Sequence, residues 1–290
     1  MEYPDDQTRE QWLTKCEENR NPFYAHPKNP NQHIWRYMDF AKFVALIDSS
    51  ELYFPCAENF DDRFEGSISK ENIRRLPSQI EENVQQFPID MRDKMSIAHK
   101  QFSEVNSLHL EWQRHWTYIS CWHINDQESA AMWKLYAESK QAIAIQSTFE
   151  RLDKCLDPHR YPPHSEPMLG MVKYVDYTVD FIGQRDHLSE FFHKRKSFAH
   201  EQEVRAVIQE LPLIPVAWDD NGKTTGSHYD KEKRPLAGKS LKVNLDQLIE
   251  GIYVAPGAPP WLTSLTEKII NKYDLKKEVH NSALDGKPLY

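Results

Sequence analysis

Residues 197–209 read SFAHEQEVRAVIQ. Two acids and an arginine (Glu201, Glu203 and Arg205) alternate as the chain enters the apolar run 204–208. Residues two apart on a strand share a face. The spacing therefore sets the three charges on one side and Val204, Ala206 and Ile208, facing the core, on the other. Charges at the head of a core-bound strand are costly to desolvate unless they pair or face a cleft. Two readings compete: an active-site carboxylate pair held by a cationic neighbour, or a solvated edge strand carrying a Glu–Arg cross-pair.

The rest of the chain sets bounds on both readings. A length of 290 residues buries a large core, and a 12% aromatic content argues for a packed globular protein. The formal net charge of −8 supplies no footprint for sequence-independent nucleic-acid binding. Cys16, Cys56, Cys121 and Cys155 are scattered, with no CxxC and no zinc spacing, which suits a reducing compartment. The opening MEYPDDQTREQW is acidic and polar, unlike a secretory leader. No apolar run approaches the ~20 residues of a membrane span. A cytoplasmic protein without a membrane partner is expected.

Residues 1–32 form a polar, proline-punctuated arm expected to pack through Trp12, Phe23 and Tyr24. A strand over 33–38 (HIWRYM) is followed by a helix over 40–50, capped by Asp39, with Phe40, Phe43, Val44 and Ile47 at helical spacing. A second strand, 51–55, runs into the acidic–aromatic loop ENFDDRFEG at 58–66. Residues 67–116 read as a helical insertion, divided by Pro77 and Pro88. Strand 117–122, helix 128–138 and strand 141–147 come next, then a strand over 170–177 and a helix over 189–197. A glycine- and charge-rich loop at 219–238 precedes a closing β–β–α–β-like unit. Strands outnumber clean βαβ crossovers and helices cluster in blocks, so the pattern is α+β, one domain over 33–285.

No Walker A loop, GxGxxG, HExxH or GxSxG is present, and no histidine pair has helical ligand spacing. No metal is expected. Asp61, Asp62, Arg63 and Glu65 crowd the FDDRFE segment. Such acids suit Mg²⁺ or a ribose hydroxyl pair, or else a loop whose phenylalanines plug the core while Asp62 caps a helix. Arg36 stands between Trp35 and Tyr37, which puts it on the opposite strand face with Ile34 and Met38. A guanidinium buried there needs a carboxylate or phosphate, either an acid of FDDRFE or a ligand. Met132, Trp133 and Tyr136 form a helical stripe that is core or ligand platform, and Ser120 and Trp122 share one strand face that would line a cleft.

The ordered set Trp35-Arg36-Tyr37, ELYFPCAENFDDRFEG, ISCWHINDQESAAMWKLYAES, KQAIAIQS, MVKYVDY, KSFAHEQEVRAVI and IEGIYVAPGAPP resembles the DUF2971 family of uncharacterised bacterial proteins. The likeness covers about 33–285 apart from the insertion. Arg63 departs from it, standing where proline is usual in a Phe-Asn-Asp-Pro-Phe-Glu form.

The layout is also similar to the ADP-ribosyltransferase fold, in particular to its DNA-modifying toxin branch. That resemblance implies a mixed/antiparallel split sheet and an NAD-consuming transferase, acting in defence or as a toxin. It would transfer ADP-ribose to a protein or nucleic-acid acceptor, or to water. Glu203 would bind the ribose 2′-hydroxyl and stabilise the oxocarbenium ion, with Glu201 its companion acid and Arg205 a support. Arg36, beside Tyr37, would hold the phosphates or ribose. Trp133 or Tyr136 would stack on nicotinamide, with Asp62, Glu65, Ser120 and Trp122 completing the substrate site. Two other readings stay open: a non-catalytic sensor or partner-binding module using the insertion as docking surface, and a metal-dependent nuclease built on Asp61, Asp62, Glu65 and Glu203.

Overall fold

The structure, a computed structural model, describes residues 24–136, 140–156, 166–183, 186, 188–215, 227–230 and 232–288. Strand β1 (His33–Asp39) turns into helix α1 (Phe40–Ser49) because the Asp39 carboxylate accepts the Lys42 N–H at 2.8 Å. Helix α1 ends at Ser50, whose φ of 51° lies in the left-handed region. Strand β2 (Glu51–Pro55) follows. The expected insertion is two helices, α2 (Lys70–Gln85) and α3 (Ile89–Arg114). Pro88 stands at the boundary between them, whereas Pro77 is accommodated inside α2.

The remaining elements are β3 (Thr117–Ile124), α4 (Ala130–Tyr136), β4 (Ala142–Thr148), α5 (Phe149–Cys155), β5 (Met168–Met171), β6 (Lys173–Val175), β7 (His193–Arg195) and β8 (Glu203–Gln209). They are followed by β9 (Leu213–Pro215), β10 (Ser227–Tyr229), β11 (Gly238–Lys242), α6 (Leu245–Leu248), β12 (Gly251–Val254), α7 (Pro260–Lys272) and β13 (Val279–Asn281). Seven strands form a mixed sheet in the order β13-β12-β4-β1-β3-β8-β5. Its pairings are antiparallel except β12 with β13. The class is α+β.

One sheet face carries Ile34, Met38, Trp122, Ile143, Ile145, Val204 and Ile208, packed under α1, α5, α6, α7 and the β2–β11 pair. The other is covered by α4 over Trp35 and Tyr37, and by Phe191 and Phe192 over Ile119 and Val207. Strand β1 pairs with β4 along its whole length but with β3 only at Ile34–Ile124 and Trp35–His123. Beyond Trp35 the sheet forks, and the two edges that face each other carry no ladder.

Three expectations need correction. Residues 189–197 are not a helix: 3-10 turns at Ser189–Phe192 and Lys196–Glu201 flank β7, which lies parallel to β6. The strand expected over 170–177 is two: β5 ends at Met171, the Val172 N–H makes a last bond to the Glu203 carbonyl of β8 at 2.9 Å, and β6 then turns to pair with β7. Helix α5 was not anticipated, although Thr148 caps it by accepting the Arg151 N–H. Of the arm's expected anchors, Tyr24 stacks on Phe192 at 3.7 Å, while Trp12 and Phe23 lie outside the described residues. The Ala25 carbonyl takes the Met171 N–H at 2.7 Å, so the arm covers the exposed edge of β5. Among the described residues no helix is long and apolar enough to cross a membrane.

Phe43 is fully buried on the α1 side of the core. Phe43→Ala is expected to lower stability by about 3–5 kcal/mol, read from urea unfolding as a reduced midpoint at unchanged slope.

Candidate functional site

The fork is the mouth of a cleft of about 680 Å³. Its walls come from β1 (Arg36, Tyr37, Met38), α1, β2, the acidic loop (Phe60, Asp61, Asp62, Glu65), β3 (Cys121, Trp122, His123), Tyr136 of α4, and the segment carrying Lys194, Phe198, Glu201 and Glu203. Arg36 and Trp122 point to one sheet face, Glu203 and His123 to the other. Both sets line the same cleft because β1 and β3 part between them. Arg36, the acid loop and the opening carboxylates thus converge.

Arg36 is half-buried. Its Nη1 donates to Ser120 Oγ at 2.5 Å, its Nη2 to the Tyr53 carbonyl at 2.7 Å, and its guanidinium lies 5.8 Å from the centre of the Trp122 ring. Ser120 is fully buried and acts through Arg36 rather than as a wall of the cleft. Among the described residues Arg36 has no carboxylate partner, so burial pushes its pKa down to about 10, with a small upward contribution from Cys121. An ion pair with an acid of FDDRFE, one of the two alternatives for Arg36, is not formed among the described residues. Three of the five guanidinium N–H groups have no partner among the described residues.

The opening charges form neither a solvated edge nor one strand face. β8 is an inner strand, buried along its length, between β3 and β5. Glu201 closes a 3-10 turn, and Gln202, with φ 43°, swings the chain before Glu203 begins the strand. The two acids are joined instead by Lys194, whose ammonium lies 2.7 Å from each. Arg205, wholly buried, bonds Glu203 through Nε at 2.7 Å and grips Glu65 with both terminal nitrogens at 2.7 and 2.8 Å. Its Nη1 also donates to the Phe191 carbonyl at 2.7 Å. Arg205 therefore holds the site together from behind and does not line the cleft.

This cluster sets three acids against two cations. Burial pushes Glu201 up to about 7, reinforced by Glu203 and opposed by Lys194. Glu203 is held well below the usual carboxylate range: burial alone would raise it, but Arg205, Glu201 and Lys194 outweigh that. Both Glu203 oxygens are occupied by cations. Glu201 Oε2 takes Lys194 and the Tyr136 hydroxyl (3.3 Å), and the Glu201 carboxyl also meets that of Glu203. The acid placed to exchange a proton near neutrality is Glu201. Burial, and then Glu203, raise the Cys121 thiol well above its ordinary value, so it stays protonated.

Tyr136 is half-exposed at the cleft, as a stacking platform must be. Trp133 is not a wall: its indole N–H donates to Glu128 at 2.8 Å and its ring packs edge-on against Tyr37 at 4.9 Å. Tyr37 lines the cleft while its hydroxyl accepts the Ser129 N–H. Asp62 is clamped by Arg195 at 2.8 Å and accepts the Phe64 N–H. Of the four acids in the nuclease reading, only Asp61 lacks a cation partner among the described residues, and it is exposed at the cleft. Among the described residues no group of three or more His, Cys, Asp or Glu is placed to hold a metal ion. Sequence reasoning missed Lys194 and His123. Alternation within HKR (193–195) marks Lys194 once that segment is read as strand, and His123 shares a register row with Glu203.

No protein-family model, no curated protein and no solved structure matches the chain.

Arg205→Ala leaves buried Glu65 and Glu203 with Lys194 as their one remaining cation among the described residues and is expected to lower stability by about 3–5 kcal/mol, measured by urea unfolding. A second outcome concerns pH. The pKa of Glu201 rises from 4.5 to about 7 on folding, so its stabilising effect is complete below 4.5 and lost as pH climbs through 7. Thermal melts should show the wild type losing stability between those pH values and Glu201→Gln escaping that loss. Equal slopes for the two proteins would refute the assignment.

Proposed function

We propose that the chain is an NAD-consuming ADP-ribosyltransferase-like enzyme, of the DUF2971 kind that its motifs resemble. One observation carries the reading: a half-buried arginine without a carboxylate partner and a carboxylate poised to titrate near neutrality line a single cleft. A volume of about 680 Å³ falls in the range of small-molecule and cofactor sites. The free N–H groups of Arg36 suit a pyrophosphate, bound in the forked geometry that guanidinium favours. Tyr136 offers a face for a planar base.

The chemistry follows from charge. Breaking the C1′–N bond of NAD⁺ sends the bonding pair to nicotinamide, which leaves neutral, and puts positive charge on the ribose. Glu203, fixed as an anion by Lys194 and Arg205, opposes that charge without having to reorganise. Glu201 then takes the proton of the nucleophile as its oxygen or nitrogen bonds to C1′. Glu203 is thereby the electrostatic partner and Glu201 the base.

A second reading draws on the same cluster. Both oxygens of Glu203 are engaged by cations, which equally suits a nucleotide-binding module without turnover.

Incubation with NAD⁺, followed by chromatography for nicotinamide, decides between the two. Release is expected, with Glu201→Gln lowering kcat by about 10²-fold or more. Arg36→Ala should raise KM about tenfold while changing kcat less. Calorimetric binding of NAD⁺ without nicotinamide release would favour the module, and absence of both would end the nucleotide reading.

A further inference from the structure

His123 lies on β3, opposite Glu203 in register on one side and Trp35 on the other, and lines the cleft. The residue is 7% exposed. Its Nδ1 sits 2.6 Å from the Glu201 carbonyl oxygen. A carbonyl only accepts, so Nδ1 carries the hydrogen and donates it. The other ring nitrogen, Nε2, is buried and has no hydrogen-bond partner among the described residues. Burial, and secondarily His200, hold the imidazole below its ordinary pKa, against the opposing pull of the Glu201 carbonyl, so Nε2 presents a lone pair. A buried acceptor left without a donor is uncommon in a native structure and calls for a partner.

The neighbours do not supply one. Glu203, held as an anion, is an acceptor, and Glu201, even when it carries its proton, makes no hydrogen bond to Nε2. The Lys194 ammonium is spent on those two acids at 2.7 Å each and on Glu65 at 3.6 Å. The Tyr136 hydroxyl is directed to Glu201. This part of the cleft is rich in acceptors and poor in donors, the reverse of the Arg36 side.

We propose that His123 is a recognition residue, whose Nε2 accepts a hydrogen bond from an N–H or O–H group at the sugar–base end of the bound nucleotide. The proposal rests on the nucleotide reading above and names what selects the ligand's orientation. Phosphates go to Arg36, and the donor-bearing end goes to His123 beside the carboxylates. Two sources supply such a donor, the carboxamide of nicotinamide and the hydroxyls of its ribose.

The test reads the ring nitrogens of the full chain directly by long-range proton–nitrogen NMR, with and without NAD⁺, while calorimetry follows binding. The Nε2 resonance of His123 is expected to move toward the hydrogen-bonded range when NAD⁺ binds. Wild-type affinity should fall about tenfold for whichever analogue lacks the donor. One is the 3-acetylpyridine dinucleotide, in which a methyl replaces the carboxamide NH₂; the other lacks the 2′-hydroxyl of the nicotinamide ribose. His123→Phe, which keeps a flat ring, should abolish that discrimination. NAD⁺ binding with an unmoved Nε2 resonance, or with His123→Phe unchanged in affinity and selectivity, would overturn the role of His123 and leave the nucleotide reading standing. No NAD⁺ binding by the wild type would overturn both.

Discussion

Everything at the cleft depends on the buried guanidinium of Arg205. It joins three parts of the chain that have no backbone pairing with one another: the acidic loop through Glu65, the 3-10 turn at 189–192 through the Phe191 carbonyl, and its own strand through Glu203. Three charge-assisted contacts and one carbonyl compensate a desolvation that would otherwise be severe. Lys194 extends the network to Glu201 and lies over the Phe198 ring at 4.6 Å. Geometry that loops alone would leave loose is thereby fixed by electrostatics from beneath.

The cleft itself comes from hydrogen bonds that the sheet does not make. Most strands pair along their length, but β1 and β3 share one short stretch and then separate. Arg36 spans the gap, reaching Ser120 on one edge and the Tyr53 carbonyl of β2 on another. It is both a strut of the fork and the cation inside it. Small residues on β4, Ala142 and Ala144, leave room beneath Trp35 and Tyr37, so the aromatic wall next to the fork packs without opening the core.

Much of this was legible in the sequence, where local pattern and burial agree. Strands β1 to β4, helix α1 and the helical insertion follow from periodicity and capping residues, and Arg36 was placed on its correct strand face from its two aromatic neighbours. The failures share a cause. The segment 189–197 holds charges that are solvated in most proteins but partly buried here, so its short strand and 3-10 turns read as a helix. Gln202 in a left-handed conformation broke the two-residue rhythm that linked Glu201 to Glu203, although their side chains still meet at Lys194. Trp133 and Arg205 have the residue types of a site but were assigned by chemistry alone, and burial turned them into its supports. Which cation would pair with which acid was beyond spacing, because both cations that meet Glu65, Lys194 and Arg205, are more than a hundred residues away.

The odd charge count of the cluster has a consequence for whatever binds above it. With two cations facing three carboxylates, electroneutrality is reached only when one proton sits on Glu201. A ligand that brings positive charge against that carboxylate takes the proton's place, so occupancy and proton release become a single linked event. The same acid then acts as an ion-exchange site: protonation and a cationic ligand compete for one position, and the stronger hold passes to the ligand as pH rises.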